Sequence, residues 1–226
     1  MSSSISVFTS VISVVLVIFS AVLHEIAHGW VAYKLGDPTA KRAGRLTLNP
    51  AAHLDPFGSV ILPLIMAVAG GPIFAFAKPV PYDPRNLRHP RRDELLVALA
   101  GPACNFLQAI AGALLFDLLY DALTPSLALL GYGPAFWLLR ILYIYMYVNL
   151  VLAFFNLIPL PPLDGSTIIS PLLSGIAREK YYQIQRYSLP VLLIVLYALP
   201  MLFGVDPLGA YLEATAGNMA ALLMGL

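Results

Sequence analysis

From Ile5 to Leu23 the chain carries no charged residue. A stretch this long and this apolar suits a bilayer, whose hydrocarbon takes about 17–25 helical residues to cross. Backbone N–H and C=O groups find no water there, so the segment has to bond within itself, which means helix. Similar runs follow at about Phe57 to Ala77, Glu94 to Leu123, Pro134 to Leu157 and Tyr187 to Phe203. A shorter apolar tail, Leu208 to Leu226, either spans or lies at the interface. The first run continues past Leu23 to about Leu35, and no Lys or Arg precedes it, so it reads as a retained helix rather than a cleaved leader.

The whole composition agrees. Apolar residues make up 59% of the 226, and charged residues only 11%, against about 25% charged in soluble domains. Mean hydropathy is +0.81. A net charge of +1 excludes the basic surface of a nucleic-acid binder. With one cysteine, Cys104, neither an intramolecular disulfide framework nor a Cys-based zinc cluster is possible. The expected architecture is an all-α polytopic membrane protein of about four to six transmembrane helices, forming a single domain over residues 1–226.

Basic residues set the orientation. Of 13 Lys and Arg, only Arg140 lies inside an apolar run, near enough to its start to snorkel. The others cluster at Lys34 to Arg45, at Lys78 to Arg92 and at Arg178 to Arg186. The positive-inside rule places all three clusters in the cytoplasm and the N-terminus outside. Both flanks of Phe57 to Ala77 are then cytoplasmic, so this run is expected to turn back as a re-entrant hairpin, broken at Pro63 and at Gly70-Gly71-Pro72.

At the cytoplasmic end of the first helix stands His24-Glu25-Ile26-Ala27-His28. Each charged group inside a membrane helix costs about 2.5–3.5 kcal/mol on the insertion scale. The H-E-x-x-H spacing supplies a reason for keeping them. Residues four apart share a helix face, so both imidazoles can bind one metal ion. Glu25 sits about 100° round the helix and can hold a water on the ion without being a ligand. A catalytic zinc takes three protein ligands and leaves one position open. Asp164 is placed for the third, because the fourth run also travels inward and ends in Asn156-Leu157-Ile158-Pro159-Leu160-Pro161-Pro162-Leu163-Asp164-Gly165. An Asp beside Gly in a Pro-rich turn is also ordinary turn chemistry, and spacing alone leaves both readings open.

These residues resemble the site-2 proteases, a family of intramembrane zinc metalloproteases. The likeness rests on H-E-I-A-H, on N-L-I-P-L-P-P-L-D-G-S from Asn156, on Asn49-Pro50-Ala51-Ala52-His53-Leu54-Asp55-Pro56-Phe57-Gly58-Ser59, and on Ala100-Gly101-Pro102-Ala103-Cys104-Asn105. The stretch from Ala77 through Arg92 is similar to the short prokaryotic branch. These motifs span about residues 20–166, leaving C-terminal helices over 187–226 and no room for the PDZ or CBS domains of many relatives.

The resemblance implies one zinc per chain held by His24, His28 and Asp164, with Glu25 as general base. It implies contact with substrate or active site for Asn105 and Asn156, whose amides can donate to a developing oxyanion. His53 is a further candidate for lining the site, although a loop histidine paired with Asp55 explains it as well. The family also carries a small β element beside the metal, and the loose alternation of Ala40 to Asn49 is a weak strand signal. The expected activity is endopeptidase cleavage of a transmembrane protein substrate near the cytoplasmic face of the cell membrane. The competing reading is a broken-helix transporter or a degenerate metal-binding membrane protein.

Overall fold

A computed structural model of the chain describes residues 2–55, 61, 78–130, 133–185 and 187–225. Helix α1 (Ser2–Lys34) has 33 residues and runs about 50 Å at 1.5 Å per residue. After a short α2 (Thr39–Arg42) and a 3₁₀ turn at Pro50–His53 come the two other long helices, α3 (Pro90–Leu130) and α4 (Pro134–Asn156). Windows within α1, α3 and α4 are each long and apolar enough to cross a membrane. Two short helices follow, α5 (Asp164–Ile169) and α6 (Gly175–Gln185). Helical segments α7 (Pro190–Phe203) and α8 (Pro207–Leu223) then meet at 113°, and together they pass as one further span. The described residues therefore give three membrane-crossing helices, or four with the bent pair, at the low end of the expected four to six.

The outward surface is what lipid selects. Val11, Val14, Val15 and Ile18 of α1 are exposed, as are Leu107, Leu114 and Leu118 of α3. Between helices the packing uses small residues instead. Ala109 and Ala113 of α3 meet Met146 and Leu150 of α4, and Ala216 and Ala220 of α8 close the same cluster. A Cβ on Gly112 would stand 3.2 Å from the Met146 backbone nitrogen. Lipid tails are as apolar as leucine, so such close approach, together with interhelical hydrogen bonds, holds a membrane bundle together.

The strand signal of Ala40 to Asn49 is corrected. No strand occurs among the described residues, and Ala40 to Asn49 holds α2 followed by turns. The reason is local. The carboxylate of Asp37 accepts from the Thr39 backbone N–H at 3.0 Å and from its hydroxyl, a turn geometry that starts a helix and overrides a weak alternation. Ala40 is then fully buried, and Gly29 of α1 leaves room for it, since a Cβ there would meet Ala40, Leu46 and Val80 within about 3 Å. The expected re-entrant hairpin at 57–77 falls outside the described residues, apart from Ile61.

Asp37 also fastens the next loop. It accepts from the Asp83 N–H at 2.7 Å and from the Asn86 amide at 2.9 Å, while the Leu35 carbonyl receives the Arg88 N–H. Residues 78–88 are thereby clamped across the C-terminal end of α1, beside the H-E-x-x-H face.

Candidate metal centre

His24 and His28 lie one helical turn apart on α1, with their Nε2 atoms 3.0 Å apart. Asp164 reaches both, Oδ2 standing 3.0 Å from His24 Nε2 and Oδ1 3.3 Å from His28 Nε2. Four ligands arranged tetrahedrally about zinc, each at about 2.0 Å, lie about 3.3 Å from one another. One ligand atom from each of the three residues lies within 4.8 Å of the others, close enough to share one ion.

Glycines permit the convergence. A Cβ on Gly101 of α3 would clash with His28 Nε2 and stand 2.6 Å from His24 Nε2, so only glycine lets α3 pass the site. A Cβ on Gly165 would strike the carbonyl oxygens of Leu157 and Ile158. The turn that ends α4 can therefore fold against α5 and carry Asp164 back to the imidazoles.

The other imidazole nitrogens show what the centre is built for. His28 Nδ1 lies 2.6 Å from the Val97 carbonyl, and His24 Nδ1 lies 2.5 Å from Asn105 Oδ1. Each Nδ1 therefore carries the proton, and each Nε2 presents its lone pair to the centre. Two lone pairs and a carboxylate face one another across 3.0–3.3 Å, and Asp164 Oδ2 is buried with no hydrogen-bond donor. Converging acceptors without a proton between them call for a cation, and this donor set fits zinc.

Glu25 stands beside the pair without joining it. Its Oε2 accepts the backbone N–H of Val80 at 2.8 Å. Glu25, His24, His28 and Asp164 all line one cavity of about 320 Å³. Val17 and Ala21 of α1 and Leu152 and Phe155 of α4 form its apolar wall, and Pro79, Val80 and Tyr82 cross it from the clamped loop.

The supporting residues separate into two groups. Asn156 lines the cavity, with Nδ2 donating to the Leu152 carbonyl at 2.9 Å. Asn105 is fully buried behind His24 rather than on the cavity wall, and its Nδ2 donates to Asn149. His53 is buried in the loop, where Nε2 meets the Thr47 carbonyl at 2.9 Å and its own carbonyl receives the Lys78 N–H. It serves as a strut there and does not face the cavity. Val80, Asn149 and Asp37 escape a reading of the sequence. Asn149 and Asp37 lie in no motif, nothing within the Ala77-to-Arg92 stretch singles out Val80, and the partners that give the three meaning lie 44 to 129 positions away.

Known proteins resemble this chain over most of its length. The profile described as "Peptidase family M50" matches residues 131–199, the part that delivers Asp164. The chain is 41% identical over 198 residues to the Bacillus subtilis protein named "Putative zinc metalloprotease YwhC", covering 88% of this chain and 82% of that one. It is 32% identical over 185 residues to "Putative zinc metalloprotease Rip2" of Mycobacterium tuberculosis, covering 82% of this chain and 66% of the relative. The Rip2 of Mycolicibacterium smegmatis is 30% identical over 179 residues, or 79% and 64% of the two chains. No solved structure matches the chain.

Proposed function

The chain belongs to peptidase family M50, the site-2 proteases, membrane metalloproteases whose cofactor is zinc, and from that premise we propose that it is an intramembrane endopeptidase cutting transmembrane segments of membrane proteins. The observation that carries this reading is the convergence of His24, His28 and Asp164 beside Glu25, inside a cavity whose other wall is apolar. We assign the zinc ligands to those three residues and the general base to Glu25.

Zinc, when bound, supplies Lewis acidity toward water and toward the substrate carbonyl. The chain's own residues do the rest. Val80 N–H holds one oxygen of Glu25, leaving the other to take a proton from the attacking water. The water oxygen bonds to the peptide carbonyl carbon, the C–N bond breaks, and Glu25 returns the proton to the leaving amine. Asn156 uses one amide hydrogen on Leu152, and its second is available to the oxyanion. The apolar wall formed by Val17, Ala21, Leu152 and Phe155 excludes water and receives apolar side chains of the substrate.

Orientation follows the basic clusters. With Lys34 to Arg45 and Lys78 to Arg92 on the cytoplasmic face of the cell membrane, cleavage occurs near that face. The test is co-expression with candidate membrane substrates, comparing wild type with Glu25→Gln. The wild type should release shortened product. The variant should keep its zinc and leave substrate intact, because a positioned base contributes about 10²–10⁴-fold. Equal cleavage by both proteins refutes the assignment.

A further inference from the structure

The two histidines are oriented by different means. His28 Nδ1 faces the Val97 backbone carbonyl, which can only accept, so its tautomer is settled by the main chain. His24 Nδ1 faces the side-chain amide of Asn105 at 2.5 Å. An amide has two faces. Rotated by 180°, Asn105 would present an N–H₂ donor to His24 instead of an oxygen, Nδ1 would have to accept, and the proton would sit on Nε2. An imidazole protonated at Nε2 cannot present that atom to a metal.

Something must therefore hold Asn105 the right way round. Asn105 Nδ2 lies 2.8 Å from Asn149 Oδ1. Asn149 is in turn fixed by a group that cannot reverse its role, because its Nδ2 donates to the Tyr145 backbone carbonyl at 2.9 Å. The second hydrogen on that nitrogen goes to Ser20 Oγ of α1 at 3.0 Å. Ser20, Asn105 and Asn149 are all fully buried, so water cannot replace a lost partner. A carbonyl of α4 thus dictates Asn149, Asn149 dictates Asn105, and Asn105 dictates His24.

We infer that Asn149 is a positioning residue for the metal centre: through Asn105 it fixes His24 in the tautomer whose Nε2 can bind zinc. The inference rests on the proposed ligand role of His24. It assigns function to a residue outside every motif of the site, touching neither metal nor substrate. It also gives a reason for a polar amide at the meeting point of three membrane helices, where a leucine would pack at no polar cost.

The experiment measures zinc retention against a graded chelator in purified full-length protein. Asn149→Leu keeps the bulk and removes the acceptor, and it should weaken zinc binding about 10–100-fold, the usual cost of losing an outer-shell partner. Asn105→Asp in that background should restore retention, because a carboxylate accepts from His24 Nδ1 whichever way it faces. A purely structural role for Asn149 would not be rescued by that change. Wild-type retention in Asn149→Leu, or failure of Asn105→Asp to rescue it, overturns the inference. Asn149→Ala is read in the same two backgrounds if the leucine variant does not fold. Imidazole ¹⁵N spectra of the wild-type zinc protein should show His24 protonated at Nδ1, and protonation at Nε2 would refute the relay with no variant at all. His24→Ala is the control. If it keeps full zinc, the ligand assignment itself has failed; if it loses zinc while Asn149→Leu does not, only the relay has.

Discussion

The backbone N–H of Val80 donates to Glu25 Oε2 at 2.8 Å, tying the proposed base on the first membrane helix to a loop 55 positions further along the chain. The loop is itself clamped by Asp37 through Asp83 and Asn86. The carboxylate is therefore held by main chain and aimed into the cavity instead of swinging with its two free methylenes.

Val80→Pro removes that N–H while keeping an extended backbone in an already proline-rich segment. A hydrogen bond to a charged group is worth about 1.5–3 kcal/mol, so cleavage should slow by about 10–100-fold. Zinc content should not change, because no proposed ligand is touched. Steady-state cleavage and metal analysis on one preparation check both halves. Zinc loss in parallel with activity would mean that the loop supports the ligands rather than the base.

Gly101→Ala places a methyl group against both imidazoles. Helix propensity favours alanine by about 1 kcal/mol, so the helix itself should be no weaker. Zinc should nevertheless be lost or bound far more weakly, and activity should fall with it. Full zinc occupancy in this variant, measured by elemental analysis, would contradict the close approach of α3 to the His pair.

Much of this centre was legible in the sequence, and the reasons are physical. The H-E-x-x-H pair is local, so helical periodicity alone puts both imidazoles on one face. Asp164 is a candidate in the sequence because the charge rule has the first and fourth runs ending on the same side, and the family resemblance selects it. The strand expected at Ala40 to Asn49 failed because a loose alternation is weaker than a helix start built by Asp37 and Thr39. The sequence marks Asn105 for contact with substrate or the active site, and the structure places it behind His24, against the imidazole. What distinguishes the two positions is a bond to Asn149, 44 residues away. Pairings of that range leave no trace in a single sequence.

Asp37 provides a dependence on pH outside the membrane. Burial alone would raise its pKa, but the hydrogen bonds from Thr39, Asn86 and Asp83 outweigh burial and hold the carboxyl below its ordinary value. A group depressed in the folded state stabilises above its unfolded pKa, near 3.9, and that contribution disappears as pH falls through the folded value. Asp37→Asn should therefore be less stable than wild type at pH 7, by about 1–3 kcal/mol for a buried hydrogen-bonded group left poorly matched. The gap should narrow on acidification below about pH 4. Thermal unfolding in detergent across that range is the measurement. A gap independent of pH would show that the charge of Asp37 contributes nothing.

The backbone limits the form in which substrate can react. An α-helical substrate hides its scissile carbonyl from the centre, because each peptide carbonyl is bonded to the amide four residues on. The scissile segment must enter unwound, and exposing an unpaired backbone group in lipid costs several kcal/mol. Cleavable substrates should therefore carry Gly, Pro or Asn within a turn or two of the cut, where helical preference falls by about 0.5–3 kcal/mol relative to Ala. Replacing that residue with Leu should slow cleavage while leaving membrane insertion unchanged, as read by product yield and by carbonate-resistant membrane fraction. A poly-leucine segment of equal length cut at the same rate would show that unwinding does not limit the reaction.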